Sequence, residues 1–161
     1  MNIGLSLFPN IISVDTELVN KRDSNNTLQL SFVFVHKKEE GVAVVEKFIK
    51  KVKTIRKNPI KAQLIALNDL ITTSPADIKQ QHVIAIFITE ELVDSALDRL
   101  LVFSVKNHIL VFSPFEHDIS RGVTVGIFVG SKILPYINMT NVKRSGIKFY
   151  PLFLKLARIY E

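Results

Sequence analysis

The chain has 161 residues, 47% hydrophobic and 22% charged, the balance of one soluble globular domain with ample apolar surface to offset the entropy of ordering. Cysteine is absent, which excludes disulfides, thiolate metal sites and a thiol nucleophile. The formal charge of +6 admits nucleic acid, an anionic membrane surface or an acidic partner, and equally serves solubility alone.

Residues 3–14 are predicted to form a short N-terminal helix, followed by the polar loop KRDSNNT at residues 21–27. Residues 28–35, LQLSFVFV, become continuously apolar, as in a strand buried on both faces. In residues 39–57, Val42, Val45, Phe48, Ile49, Val52 and Ile55 recur at spacings of three and four, one face of a helix. Lys47, Lys50, Lys51, Lys53, Arg56 and Lys57 fall on its other face, and Asn58-Pro59 is expected to end it. A second strand is expected at residues 61–67. Ser74-Pro75 reads as an N-cap with proline at the first helical position, opening a helix to Gln81.

Residues 82–88, HVIAIFI, form the most apolar strand. Thr89 is expected to cap a helix running to about Lys106, with Glu90 and Glu91 beside its N-terminal dipole and Leu92, Val93, Ala96, Leu97, Leu100 and Leu101 inward. Residues 108–113 are a fourth strand. Residues 123–129 and 132–138 flank Gly130-Ser131, which suits a type II′ hairpin. A short helix at residues 140–144 ends at Ser145-Gly146. A last helix, residues 151–160, packs Leu152, Phe153, Leu156 and Ala157 inward. Alternating strands and helices imply a three-layer α/β/α sandwich, Rossmann- or flavodoxin-like, with a mostly parallel sheet and an antiparallel C-terminal hairpin at its edge. One domain covers residues 1–161, and no apolar run is long enough for a transmembrane helix.

No G-x-G-x-x-G, P-loop, H-E-x-x-H or G-x-S-x-G motif is present, which argues against an enzyme, and no cofactor or metal is expected. The densest polar cluster is Glu116, His117, Asp118 and Arg121, after the fourth strand, where ligands of open α/β sheets sit. Glu116, His117 and Asp118 suit a cation and Arg121 a carboxylate. A solvated loop with Arg121 paired to Asp118 suits the same residues. Ser113, His117 and Asp118 have the residue types of a triad without evidence of its geometry. His82 and His108 open strands at the opposite end, and His36 follows the first. The lysine-rich face lacks interleaved aromatic residues, so nucleic acid is not the expected partner.

The C-terminal forty residues carry a hairpin ending in Ile137-Asn138, then Val142 to Arg144, Ser145-Gly146-Ile147, and Phe153-Leu154-Lys155-Leu156-Ala157-Arg158. This pattern resembles the YfiR family of bacterial regulatory domains. His82-Val83-Ile84 opening a strand, and more loosely Leu7-Phe8-Pro9-Asn10, are similar to its upstream segments. The chain departs from the family at Tyr150-Pro151, in the loop SPFEHDISRG, and in lacking cysteine, so no redox switching carries over. The resemblance implies a periplasmic, non-enzymatic domain that restrains a membrane-bound diguanylate cyclase or serves a histidine kinase, and that can form a homodimer. In that case the chain is a mature form whose signal peptide lies upstream. The candidate ligand or partner contacts are Phe8, Pro9, Phe115, Glu116, Asp118, Arg121 and Asn138. The alternative is a cytoplasmic flavodoxin-like nucleotide-binding domain or enzyme.

Overall fold

The computed structural model describes residues 1–161. Helix α1 spans Asn2–Ser13, and a 3-10 turn at Leu18–Lys21 leads to β1, Leu28–Phe34. There follow α2 (Lys38–Lys51), β2 (Thr54–Ile55), β3 (Asn58–Ala66), α3 (Leu67–Ile71), α4 (Pro75–Gln81) and β4 (Val83–Ile88). Then come α5 (Asp94–Lys106), β5 (Leu110–Phe112), β6 (Val125–Val129), β7 (Ile133–Asn138), α6 (Met139–Arg144), α7 (Pro151–Leu156) and β8 (Arg158–Tyr160). One eight-stranded sheet has the order β2-β3-β1-β4-β5-β6-β7-β8. The strands from β3 to β6 are parallel, β7 runs antiparallel to β6, and β8 is parallel to β7. Helices cover both faces, which is the predicted α/β/α architecture. No helix is long and apolar enough to cross a membrane.

Each sheet face buries its own core. Under α1 and α2 lies a cluster centred on Phe8, Phe32, Phe48, Phe87 and Phe112, all essentially inaccessible. Phe8 is its hub, with ring centroids 5.3 to 5.9 Å from the other four, the range of favourable aromatic pairs. The second cluster, under α3, α4 and α5, joins Val33, Ile86 and Ile88 to Leu70, Leu97 and Leu100. β4 is buried on both sides, which explains its unbroken apolar sequence. Gly41 lets α2 approach the sheet, since a Cβ there would lie 2.8 Å from Leu64 Cδ1.

Several boundaries differ from the sequence expectation. α2 stops at Lys51, and its inward stripe is Gly41, Val44 and Phe48, while Val42 and Ile49 face outward. Residues 52–57 leave the helix. Thr54 and Ile55 pair with Pro59 and Asn58 in a tight hairpin whose two turn residues, Arg56 and Lys57, have φ of 49° and 66°. Buried Ile55 had extended the apparent helical period, and Asn58-Pro59 opens a strand instead of closing a helix. α5 begins only at Asp94, with Val93 exposed just before it. The β6–β7 link is residues 130–132, since Val129 faces Ile133, and Gly130 is not left-handed, so the turn is not type II′.

The last helix ends at Leu156. The chain then turns extended and adds β8 outside the hairpin, so the hairpin is not the sheet edge. Leu152 and Leu156 are 70% and 67% exposed, not inward. Predicted features that do form include the Ser74 cap, whose side chain accepts from the Asp77 N–H, and the short helix closed by Gly146 at φ 69°.

Phe8→Ala, which empties the hub of the aromatic cluster, should cost about 3–5 kcal/mol in denaturant unfolding, whereas Leu152→Ser should stay within about 0.5 kcal/mol. Before β1, the Asp23 carboxyl is held below its ordinary value, chiefly by the Gln29 side-chain amide and then by the Thr27 and Asn25 N–H groups. A depressed carboxyl stabilises the fold above the ordinary carboxylate range and loses that contribution as pH falls through its folded value. Asp23→Asn should therefore flatten the acid limb of the stability profile; an unchanged limb would place the loss elsewhere.

Candidate functional site

The chain runs from β1 outward to β3 and then returns to β4 on the other side of β1. The β1/β4 boundary is thus the topological switch point, and its C-terminal crevice is where an open α/β sheet receives ligands. The crevice holds a side chain of the protein itself. Glu90 lies just beyond β4 and is buried. Its Oε1 accepts the N–H groups of Val35 and His36 at 2.9 and 2.8 Å, and its Oε2 accepts that of Lys37 at 2.7 Å. These amides form the concave entry to α2, the kind of backbone nest that binds a phosphate in other α/β domains. Thr89 does not cap a helix. Its hydroxyl donates to the Val33 carbonyl at 2.7 Å, fastening the end of β4 to β1.

The loop after β5 is also self-satisfied. Ser113 Oγ donates to Asp118 Oδ2 at 2.6 Å and accepts the Phe115 N–H. Arg121 commits its fork to three partners: Asp118 Oδ1 at 2.7 Å, Asp94 Oδ1 at 3.0 Å and the Leu92 carbonyl at 2.7 Å. Partial burial pulls the Arg121 guanidinium down, but the hydrogen bonds and charges of Asp118 and Asp94 outweigh it and raise it above its ordinary value. The residue is a staple between this loop and the start of α5.

The predicted contact residues do not converge. Phe8 is inaccessible and Pro9 is half-buried within α1. Phe115 is partly buried and folds back on the second core cluster. Asp118 is buried while Glu116 is exposed, so the two do not share a cation. Asn138 is buried and caps α6, accepting the Asn141 N–H and donating to the Ile119 carbonyl. His117 is exposed and absent from the Ser113–Asp118 pair, so no triad forms. His82 and His108 are left-handed residues entering strands, and the His108 ring lies 3.2 Å from the Ser145 carbonyl.

Open space lies instead along α5. A groove of about 440 Å³ separates it from α3 and α4, lined by Ile71, Pro75, Val102 and Phe103 with Asp98, Arg99 and Lys106 at its rim. A second, of about 480 Å³, runs on its other side towards Arg121, Gly122, Thr124, Asn141 and Arg144. Asp98, Val102 and Lys106 border both, four residues apart on one helical stripe. Val102 is 70% exposed and forms an apolar ridge between two charges of opposite sign. Of the predicted contacts, only Arg121 borders either of these two grooves. The signal for this site was an apolar residue too many: Val102 lies outside the inward stripe of Ala96, Leu97, Leu100 and Phe103.

No protein-family profile matches the sequence, and no curated protein sequence matches it either. Solved structures do share its fold. The ABC domain from Streptococcus pneumonia, solved in complex with L-Trp, superposes with a TM-score of 0.61 at 13% identity, covering 93% of this chain and 60% of that one. A conserved domain protein from Vibrio cholerae O1 biovar El Tor strain N16961 gives 0.61 at 14% identity, covering 88% and 57%. The chain spans about three fifths of the length of each.

Glu90→Gln replaces one carboxylate oxygen by a donor facing backbone N–H groups, and should destabilise by about 2 kcal/mol or more in denaturant unfolding. Arg121→Ala leaves the buried Asp118 carboxylate without its counter-charge and should cost about 3 kcal/mol by the same measurement. Near-neutral values would show that neither side chain braces the rim.

Proposed function

We propose that the chain is a non-enzymatic sensor or regulatory domain that takes a small organic ligand alongside α5 and passes the signal to a membrane-bound partner. The observation that carries this reading is the contrast between a closed rim and an open flank. Glu90 already fills the switch-point nest, so an incoming phosphate or nucleotide would have to expel a hydrogen-bonded carboxylate. The α5 grooves have the volume of small-molecule sites and combine apolar walls with a few placed charges. Asp98 with Arg99 and Lys106 offers both signs, which suits a zwitterion such as a free amino acid. A structural neighbour solved with L-Trp supports a small-ligand role by analogy of fold alone.

The resemblance to the YfiR family supplies the setting. The domain works in the periplasm, as a monomer or homodimer, against a diguanylate cyclase or histidine kinase. Binding on the α5 flank changes the surface this partner meets. Nucleic acid and a bound cofactor have no part in this reading.

Titration with free amino acids, L-Trp included, followed by amide NMR, tests it. Shifts should concentrate at Ile71, Val102, Phe103 and Lys106, and Val102→Glu should weaken binding at least tenfold. Shifts centred on Val35, His36, Lys37 and Glu90, or nucleotide binding there, would contradict the reading.

A further inference from the structure

The charge of the chain is concentrated in two segments. Residues 47–61 carry seven basic side chains and residues 143–158 five, with no acidic residue in either. All 15 acidic residues lie elsewhere, where the remainder of the chain is net negative. The protein's three ion pairs, Lys21–Asp15, Arg121–Asp94 and Arg121–Asp118, involve none of these twelve cations. Three of the twelve belong to the other side of the sheet: Lys61 alternates with the core-facing Ile60 and Ala62 of β3, Arg158 lies over Phe128 beside Tyr136 and Tyr160, and Arg144 borders the second α5 groove.

The fold brings the two segments together. α1, α2, the β2–β3 hairpin and α7 all pack on the same face of the sheet, through Phe8, Phe48, Ile55 and Phe153. The tip of the hairpin reaches the base of α7, where the Arg56 guanidinium sits 5.8 Å from the ring centroid of Tyr150, the residue preceding that helix. Residues 148–150 are themselves tied to the end of α1, by the Thr16 N–H donating to the Lys148 carbonyl and the Tyr150 N–H to the Val14 carbonyl. The outer surface of this layer therefore combines clustered lysine and arginine, outnumbering the exposed Glu39, Glu40 and Glu46 of α2, with bare apolar side chains. Ile3, Ile49, Tyr150, Leu152 and Leu156 are 44%, 40%, 41%, 70% and 67% exposed. α1 contributes no charge of either sign.

We infer that this face docks on an anionic lipid bilayer. Clustered cations are drawn to the negative surface potential of such a membrane, each lysine or arginine adding to the attraction. Apolar side chains at the same level enter the boundary between headgroups and acyl chains, and this second contribution separates a bilayer from other polyanions. Duplex nucleic acid offers phosphate charge but no apolar phase for Leu152 and Leu156. The opposite face, carrying α5 and its grooves, would then point away from the lipid and stay open. The inference is independent of what those grooves bind.

Sedimentation of the full chain with vesicles tests it. One preparation is phosphatidylcholine alone, the other phosphatidylcholine with an equal part of phosphatidylglycerol. Binding is expected only to the mixed vesicles, and should fall steeply with salt. Replacing three cations together, Lys53→Gln, Arg56→Asn and Lys57→Gly, should weaken it about 100-fold. Asn-Gly suits two left-handed turn positions, so this variant keeps the hairpin. Leu152→Ser with Leu156→Ser should weaken binding at least about tenfold. Circular dichroism and the melting temperature confirm that both variants are folded. Equal binding to the two vesicles, no binding to either, or binding that survives both variants would overturn the inference. So would tight binding to duplex DNA that depends on the cations while the leucine variant still binds mixed vesicles like the parent, since that pattern marks a nucleic-acid surface.

Discussion

The Glu90 carboxylate at the switch point is the constraint on which the placement of any ligand depends. Three consecutive backbone N–H groups, those of Val35, His36 and Lys37, converge on two oxygens carried by the next strand. Such a nest attracts negative charge, and an α/β domain can satisfy it with a bound anion or with its own side chain. This chain uses its own side chain. The entry to α2 is thereby set without ligand, and β1 and β4 are joined at their C-terminal ends by Glu90 and by the Thr89 hydroxyl on Val33. Arg121 extends the same logic across the rim, tying the loop after β5 to Asp94 and Leu92 at the start of α5. Two open grooves remain along the flank of α5.

The two sheet faces divide the remaining work. One holds the five-phenylalanine core and presents a basic, partly apolar exterior. The other holds an aliphatic core and presents grooves edged by charges of both signs. The division follows from the topology. The crossovers from β1 to β3 and from β3 to β4 leave the sheet on opposite sides, so α2 with its lysines and α3–α5 with most of the helical aspartates cannot share a face.

Much of the fold was legible in the sequence, because buried parallel strands write continuous apolar runs: β1 and β4 stand out in LQLSFVFV and HVIAIFI. The Ser74-Pro75 cap and the Gly146 stop were legible as well, since each has a local chemical reason. The β2–β3 hairpin was not. Its turn residues are Arg56 and Lys57, side chains that rarely adopt positive φ, and Ile55 continues the helical spacing while facing the core from a strand. β8 was hidden in the same way, as Arg158 to Tyr160 continue an amphipathic pattern that tertiary pairing with β7 overrides. The candidate site was largely illegible. Glu90 follows a strand and precedes a helix, the setting of an N-terminal acid, and only the three-dimensional approach of residues 35–37 reveals its partners. Phe8 and Asn138 were assigned to a surface because of where they stand in the chain, yet one is the hub of the core and the other a buried cap.

Native-state hydrogen exchange at the Val35, His36 and Lys37 amides tests this account most directly. If Glu90 closes the switch point, these three loop amides exchange nearly as slowly as those of β1, and Glu90→Gln releases them while β4 stays protected. Exchange at the rate of an unstructured loop in the parent protein would mean that the nest stands open, and the rim would again be the place to seek a ligand.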